Sequence, residues 1–271
     1  MELIVAFIFG ITFGSFLNVV ILRLPKEKSI IFQASHCYSC QHKLKPWHNI
    51  PLFSWLFLRG RCAFCSAKIS MQYPIIEFIS GLLFLILAAK QTLSLPLFFI
   101  ALSFLMLLAL SMIDLKYKMV PDSLNLLALL FAILGTWNLQ GFFTNLQNAF
   151  LFAGGFTLLR FTLSYYLTSS VYRAGLKTKT SWNRHFDRTP FIEAMGEGDI
   201  MVAATMGALL GLKLTLVAIF LSALLALPIM LLVQSRSKED KRVPFVPFLA
   251  LATFIVFVLD TPILNYIEAN Y

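Results

Sequence analysis

The sequence contains very little charge for its length. Asp, Glu, Lys and Arg make up only 13% of its 271 residues, whereas apolar residues make up 59% and the mean hydropathy is +0.80. Soluble domains are roughly half apolar, so this composition excludes an ordinary soluble protein. The strand-like alternation of a membrane barrel is also absent, which leaves a helix bundle as the structure that lipid permits. The sequence therefore predicts an all-α integral membrane protein.

Motifs of several common enzyme classes are missing as well. The sequence contains no H-E-x-x-H zinc-protease helix, no G-x-S-x-G nucleophile elbow and no Walker phosphate-binding loop. It also contains no G-x-G-x-x-G turn, so no nucleotide-cofactor pocket is evident. The few ionisable residues and the cysteines are therefore the main candidates for chemistry.

About eight apolar runs are separated by polar or helix-breaking residues and predict transmembrane helices. They are residues 1–22, 74–90, 97–113, 123–138, 147–168, 199–212, 214–233 and 245–265. No basic segment precedes the first run, and the acidic Glu2 has the wrong charge for a signal peptide. We therefore interpret the first run as a retained helix.

Basic residues are concentrated in four of the segments that join these runs. All Lys and Arg except Lys90, Arg160 and Lys213 lie in residues 23–72, 114–121, 169–198 and 234–244. Cytoplasmic loops carry the excess of Lys and Arg, so the amino terminus is predicted outside. This bias, together with contact with anionic headgroups, accounts for the net charge of +9 without a nucleic-acid partner.

All four cysteines lie in the long polar segment after the first helix, as CYSC (Cys37, Cys40) and CAFC (Cys62, Cys65). Two C-x2-C turns can complete a tetrahedral zinc site, and a zinc ion with four thiolates has a structural role. Two disulfides are the first alternative, which the reducing cytoplasmic side disfavours. A redox-active pair is the second, but no βαβ pattern accompanies it. We predict a small cytoplasmic zinc-binding loop domain.

Two aspartates are predicted at the same membrane depth. Asp114 ends the third span and Asp199 begins the sixth, so both lie at the cytoplasmic boundary. An acidic residue costs about 2.5–3.5 kcal/mol at the bilayer centre, which makes a functional role the default hypothesis. Asp199 could instead cap its helix, but Asp114 lies at a helix C-terminus, where the dipole disfavours anions. Gly196 and Gly198 would let another backbone approach Asp199 closely.

Other polar residues have simpler or less specific interpretations. Asp122 is predicted to cap the fourth span, and Glu193 and Glu197 are predicted to be solvated loop acids. Asn18 and Glu77, near the inner ends of the first two spans, are candidates for cofactor binding. Helix packing is the alternative for Asn18, and Glu77 could hold the ammonium group of a substrate.

Seven blocks in the right order resemble the bacterial type IV prepilin peptidases. They are GSFLNVVILRLP, the paired CxxC turns, NIPLFSWLFLRGRCAFC, YPIIEF, IDLKYKMVPD, EAMGEGD and VPFVPFLA. The resemblance implies an inner-membrane aspartic protease that removes a basic leader from prepilin or pseudopilin precursors. The cut would fall after a glycine on the cytoplasmic face, with Asp114 and Asp199 as the catalytic pair.

The same resemblance implies a second activity. The family transfers a methyl group from S-adenosylmethionine to the new amino terminus, and its zinc-binding segment is linked to this step. The implied organisation is a first helix (1–22), a four-cysteine domain (23–72) and a peptidase core (73–271). Two features depart from the family: Met201 replaces a common lysine, and residues 169–194 form a longer loop. We interpret this loop as a solvated linker, with a substrate or partner loop as the alternative.

Two alternatives follow from the same residues. A peptidase that lacks methylation would keep both aspartates, and a methyl-transfer assay separates this alternative from the bifunctional enzyme. A zinc-stabilised transporter or assembly scaffold would use the aspartates as proton relays. Transport predicts ionisable residues deep within several spans, whereas here they cluster at the cytoplasmic boundary.

Overall fold

The computed structural model describes residues 1–32, 35–173, 195–236 and 243–270. Within these ranges the chain is helical, with no β-strand beyond two isolated bridges, which confirms the all-α prediction. Most of the predicted 169–194 loop lies outside the described residues. The helices are α1 (Glu2–Arg23), α2 (Phe53–Phe57), α3 (Gln72–Lys90), α4 (Leu95–Tyr117), α5 (Asp122–Gln140), α6 (Phe142–Arg173), α7 (Glu197–Arg236), α8 (Val246–Val258) and α9 (Asp260–Asn270).

Six helices in the described part of the chain, namely α1 and α3 to α7, are long and apolar enough to cross a bilayer. Helices α8 and α9 are bent by 76° and give a seventh span if the pair is counted as one. The molecule is therefore a multi-pass membrane protein by the length and composition of its helices. The predicted count of about eight is higher because residues 199–212 and 214–233 both fall within α7.

Helix α7 is interrupted at Gly211. This residue has φ 72° and ψ −177°, a combination almost confined to glycine. The Thr215 hydroxyl donates to the Met206 carbonyl oxygen at 3.2 Å, although nine residues separate the two. Nine residues of straight helix rise by about 13.5 Å, so α7 must bend sharply at Gly211.

Helices α1 and α3 pack closely because glycines line their contact. A Cβ atom on Gly10 would lie 2.5 Å from the Ser80 carbonyl oxygen. A Cβ atom on Gly14 would lie 2.8 Å from the Ser80 side chain and 2.9 Å from the Glu77 Cα. Small residues let membrane helices approach in this way, so the inner end of α1 is fixed against the first turns of α3.

Polar side chains join the helices behind the site. Ser103 of α4 donates to the Ala128 carbonyl oxygen of α5 at 2.8 Å. Asn145 of α6 donates to the Thr136 hydroxyl of α5 at 3.0 Å, and that hydroxyl donates to the Ala208 carbonyl oxygen of α7 at 2.9 Å. Interhelical bonds of this kind each contribute about 0.6–2 kcal/mol in membranes. They fix the positions of α4, α5, α6 and α7 along the bundle relative to one another.

The prediction that Asp122 caps α5 was wrong. Pro121 occupies the capping position, and Asp122 is the first helical residue. A proline at this position sets an extended backbone before the helix, which moves the aspartate into the first turn. Ser94 of α4 is a true cap, since its hydroxyl accepts the Leu97 N–H.

Candidate active site

Asp114 lies in the last turn of α4, and its side chain is buried. The Val246 N–H donates to the Asp114 Oδ2 at 3.2 Å, and the Phe245 N–H also donates to this carboxylate. Val246 is the first residue of α8 and Phe245 precedes it. The carboxylate at the end of one helix is therefore placed at the amino end of another, where backbone N–H groups stabilise an anion.

Asp199 lies in the first turn of α7 and is also buried. It is the third residue of the helix, and the Gly196 N–H just before the helix donates to its carboxylate. A bond from the residue before a helix to the side chain of its third residue is part of a capping box, so a capping role for Asp199 stays an alternative. One bond to Gly196 leaves further acceptor positions on the same carboxylate.

Gly198 makes room for the link between α4 and α5. A Cβ atom on Gly198 would lie 2.4 Å from the Cβ of Val120. The Asn125 amide of α5 donates to the Gly198 carbonyl oxygen at 3.4 Å. We expected the glycines to admit an approaching backbone, and at Gly198 the neighbour is instead the Val120 side chain. The α4–α5 link thereby fixes the turn that carries Asp199.

The two carboxylates meet at one end of the bundle. Asp114 comes from the third apolar helix and Asp199 from the sixth, and the charge of Asp114 acts on Asp199. Their exposed fractions are 7% and 9%, so both carboxylates are largely shielded from solvent. Two buried carboxylates that interact electrostatically can hold one proton between them, which suits general acid–base work.

Glu197 is solvated as the sequence predicted, but it is the first residue of α7 and not part of a loop. Its Oε1 accepts a hydrogen bond from Arg160 of α6 at 2.9 Å, although its side chain is 78% exposed. An ion pair this exposed contributes about 0–1 kcal/mol. The other predicted loop acid, Glu193, lies outside the described residues. Met201 lies on α7 two residues after Asp199 and is half-buried.

The two CxxC turns have the same backbone geometry. The Cys37 N–H donates to the His42 carbonyl oxygen, and the Cys62 N–H donates to the Ala67 carbonyl oxygen, five residues on in both cases. The residue after each second cysteine, Gln41 or Ser66, has φ near +56°. The isolated bridges His36–Lys43 and Arg61–Lys68 close the two turns. Each turn therefore presents two sulfur atoms on one side.

The four cysteine sulfur atoms converge on one point. All lie within 4.8 Å of one another, and the Cys37 and Cys65 sulfurs are 3.8 Å apart. A tetrahedral zinc ion with Zn–S bonds of about 2.3 Å requires sulfur atoms about 3.8 Å apart. The cysteines are free, and a disulfide would need sulfurs at about 2.05 Å. The donor set and its spacing fit zinc.

Protonation within this cluster is uneven. Backbone N–H groups of Cys40 and Ser39 donate to the Cys37 thiol and lower its pKa to about 6. The Ala67 N–H acts in the same direction on Cys65, but desolvation and the hydrogen bonds that the Cys65 thiol donates to the other cysteines raise its pKa to about 11. One thiolate therefore forms easily, and a bound cation would deprotonate the remaining thiols.

Two family models match the chain in sequence. The bacterial peptidase A24 N-terminal domain matches residues 8–91, and the type IV leader peptidase family matches residues 99–231. The prepilin leader peptidase/N-methyltransferase of Aeromonas hydrophila is 31% identical over 291 residues, which cover 98% of this chain and 93% of that relative. The chain belongs to the type IV leader peptidase family.

Other relatives in this family agree in length and name. The prepilin leader peptidase/N-methyltransferase of Stutzerimonas stutzeri is 32% identical over 93% of this chain and 89% of its own length. That of Neisseria gonorrhoeae is 32% identical over 94% of this chain and 90% of its own length. No solved structure matches the chain.

The candidate residues are distributed between the two matched domains. The N-terminal domain contains the four cysteines together with Asn18 and Glu77, and the leader peptidase domain contains Asp114 and Asp199. The aspartates and the cysteine cluster therefore belong to separate sequence units, which the helices bring into one molecule.

Asn18 and Glu77 form a node between α1, α3 and the cysteine segment. Asn18 Nδ2 donates to the Tyr73 carbonyl oxygen at 3.1 Å, and its Oδ1 is buried with no partner among the described residues. Glu77 accepts the Leu52 N–H at 2.7 Å and a bond from the Ser15 hydroxyl. The predicted pair therefore lies together, with Glu77 already held by donors of this chain.

Sequence reasoning missed the backbone donors of the site. Val246 and Phe245 lie in the VPFVPFLA block, which the family resemblance included without a role. Val120 was part of another such block, and its contact with Gly198 was not foreseen. A proline one residue into a helix is a visible start signal, so Pro247 marks the end of α8 that faces Asp114.

Proposed function

We propose that the protein is an aspartic endopeptidase and N-methyltransferase of the bacterial inner membrane. It cleaves the basic leader peptide from type IV prepilin-like precursors and methylates the new amino terminus. The observation that supports the proposal is that two buried aspartates, Asp114 and Asp199, lie within electrostatic reach of each other. Relatives named prepilin leader peptidase/N-methyltransferase align along nearly the whole chain, which supports both activities.

In the proposed mechanism the aspartates act as a coupled pair. One carboxylate removes a proton from water while the other, protonated, donates a hydrogen bond to the scissile carbonyl. The proton then passes to the amine that leaves. The roles belong to the pair and not to either residue, because strongly coupled groups titrate together. The Val246 and Gly196 N–H groups hold the carboxylates in place.

The substrate reaches the pair from the membrane. Its apolar helix docks laterally among the spans, and its basic leader lies at the cytoplasmic face, with cleavage after a glycine. Large apolar side chains on α6 such as Phe150, Leu158 and Phe161 are more than half exposed, as expected for contact with lipid. Membrane lipid and prepilin or pseudopilin precursors are the proposed partners, in type IV pilus or type II secretion systems.

The proposed topology has eight crossings with the amino terminus outside. The bend at Gly211 divides the 40 residues of α7 into two spans, since one straight helix of that length would measure about 60 Å. In this arrangement Asp114 ends the third crossing and Asp199 begins the sixth. Both then face the cytoplasm, the side on which most basic residues lie.

The cysteine segment, residues 23–72, would hold a structural zinc ion and serve the methylation step. Cys37, Cys40, Cys62 and Cys65 would ligate the metal, which would supply fold stability to a segment with few helical residues. Helix α2 is its longest regular element at five residues. Binding energy of the metal would replace the hydrophobic core that so short a domain lacks.

The methyl donor in this proposal is S-adenosylmethionine. Asn18 and Glu77, the residues predicted to bind it, do not fit as they are folded. They are 1% and 6% exposed, and Gly14 packs against Glu77 so tightly that a single carbon atom would not fit between them. Their role is therefore better sought in the bonds that they make within the chain.

Cleavage by matched variants tests the peptidase assignment. A prepilin-like substrate would be incubated with membranes that contain wild type, Asp114→Asn or Asp199→Asn at equal expression. Each variant should lose roughly 10²- to 10⁴-fold in rate, the contribution of positioned acid–base groups. Asp122→Asn is the control, because Asp122 is exposed at the same end of the bundle. If either active-site variant cut at the wild-type rate, that aspartate would have only a structural role.

A further inference from the structure

One residue of the cysteine segment has a strained backbone. Leu52 has φ 61° and ψ −51°, and the Phe53 N–H donates back to the Pro51 carbonyl oxygen at 2.6 Å. These values describe a γ-turn of the rare, strained type, centred on a leucine. Such conformations cost about 1–3 kcal/mol and persist only when the surroundings impose them.

The strained turn is bound by the Glu77 carboxylate. The Leu52 N–H points away from its own turn and donates to the Glu77 Oε2 at 2.7 Å. Glu77 belongs to the second turn of α3 and is 6% exposed, and Gly14 of α1 packs so closely that a Cβ there would lie 2.9 Å from the Glu77 Cα. A single residue therefore joins two membrane helices to the strained turn of the cytoplasmic segment.

Local contacts connect the bond between Leu52 and Glu77 to the cysteine cluster. Helix α2 follows the γ-turn directly, and its Trp55 ring lies so close to Gly60 that a Cβ there would be 2.7 Å away. The Ile69 N–H donates to the Gly60 carbonyl oxygen at 2.8 Å, across the base of the turn that holds Cys62. The bond between Glu77 and Leu52 therefore helps to fix the orientation of the cysteine segment.

We propose that Glu77 is a positioning residue that latches the cysteine segment to α1 and α3 for the methyl-transfer step. The inference deepens the proposed function and rests on it. Ser15, Leu52 and Glu77 all lie in the N-terminal family domain, and Asp114 and Asp199 lie in the other. Release of the latch therefore changes methyl transfer and leaves peptide cleavage at its original rate.

The latch needs an acceptor oxygen at position 77 and does not need a proton-accepting group. Glu77→Gln keeps an oxygen for the Leu52 N–H, whereas Glu77→Met fills a similar space and offers only a weakly accepting sulfur. A bond from a neutral donor to a carboxylate is stronger than one to an amide, so the glutamine variant should weaken the latch without releasing it. A role as a base or ammonium ligand would instead require the charge, which both variants remove.

The experiment compares these two variants with wild type in the full-length protein, reconstituted in lipid. Three quantities are measured: the initial rate of leader cleavage, the initial rate of methylation of precleaved substrate, and hydrogen exchange of the peptide that contains Leu52. For Glu77→Met we expect unchanged cleavage, and exchange at Leu52 faster by roughly tenfold to hundredfold, the range for a lost bond to a charged group. Its methylation rate should fall by roughly tenfold or more.

Glu77→Gln decides between the latch and a chemical role. The latch predicts that this variant recovers most of the methylation rate and most of the protection at Leu52. Loss of methylation in Glu77→Gln with Leu52 still protected would overturn the latch in favour of a charged role. Full methylation by Glu77→Met would also overturn it. Absence of cleavage by the wild type itself would instead contradict the proposed function, so the two failures are distinguishable.

Discussion

Substitution of Gly198 by alanine is the sharpest structural perturbation of the proposed active site. Gly198 immediately precedes Asp199, and its backbone faces Val120 in the link between α4 and α5. The change adds one carbon atom and no charge. Any effect on cleavage must therefore arise from displacement of the turn that carries the aspartate.

The magnitude follows from the contacts that the new atom would make. The added Cβ would lie 2.4 Å from the Val120 Cβ, and 2.7 and 2.8 Å from its two methyl carbons. Carbon atoms in contact are about 3.5–4.0 Å apart, so the turn and the link must separate by roughly 1 Å. Overpacking of this kind costs about 1–3 kcal/mol. A shift of about 1 Å in a catalytic group can reduce the rate by about 10²-fold.

The assay is leader cleavage at matched protein level, with Gly196→Ala as the control. A Cβ atom on Gly196 would lie 3.7 Å from the Asp199 Oδ2, which is an ordinary contact. We expect Gly198→Ala to lower the cleavage rate by roughly 10- to 100-fold, the rate equivalent of this strain. Gly196→Ala should cleave at close to the wild-type rate.

A compensating substitution distinguishes steric displacement from other causes. Val120→Gly removes the three carbon atoms that the new Cβ would meet, so the double variant Val120→Gly/Gly198→Ala should recover much of the lost rate. Wild-type cleavage by Gly198→Ala alone would refute the reasoning, because it would mean that the α4–α5 link does not constrain Asp199.

Three further predictions use the same approach. Gly14→Ala should lower stability by about 1–3 kcal/mol in thermal unfolding, because its Cβ would meet α3, whereas Gly154→Ala, with no atom within 4 Å, should be neutral or slightly stabilising. Metal analysis of the purified protein should give one zinc per chain, and Cys62→Ser should remove it with loss of protease resistance in the cysteine segment. Glu197→Gln should change cleavage less than tenfold, since its exposed pair with Arg160 contributes at most about 1 kcal/mol, and a larger loss would assign Glu197 a direct role.

Features that depend on local pattern could be predicted from the sequence. Apolar run length predicted the helices, and the two C-x2-C turns predicted four converging sulfur atoms. Because successive spans cross the membrane in opposite directions, the sequence predicted that Asp114 and Asp199 lie at the same end of the bundle. The structure brings them within electrostatic reach of each other, and their catalytic role stays a prediction.

Features that depend on the packing of distant segments could not be predicted in this way. Leucine rarely adopts a positive φ, so nothing in the sequence indicated the γ-turn at Leu52. The N–H of this turn is bound by Glu77, which lies 25 residues away in the sequence. Gly198 was correctly identified as a point of close approach, but its neighbour was not predictable, because a glycine reveals only that space is needed. The sequence separated the runs 199–212 and 214–233, but it did not show that both belong to one helix that bends at Gly211.

The backbone donors explain why an anion can be tolerated where Asp114 lies. The carbonyl end of α4 disfavours a carboxylate, which from sequence made this residue suspect. The start of α8 supplies the opposite dipole end and two N–H groups, so the unfavourable field of one helix is offset by another. Asp199 and Glu77 likewise accept N–H groups from just before α7 and α2. In each case the donor is one of the N–H groups that a helix start leaves without an intrahelical partner. The buried carboxylates of this protein are therefore held where helices begin, by donors that the fold must satisfy in any case.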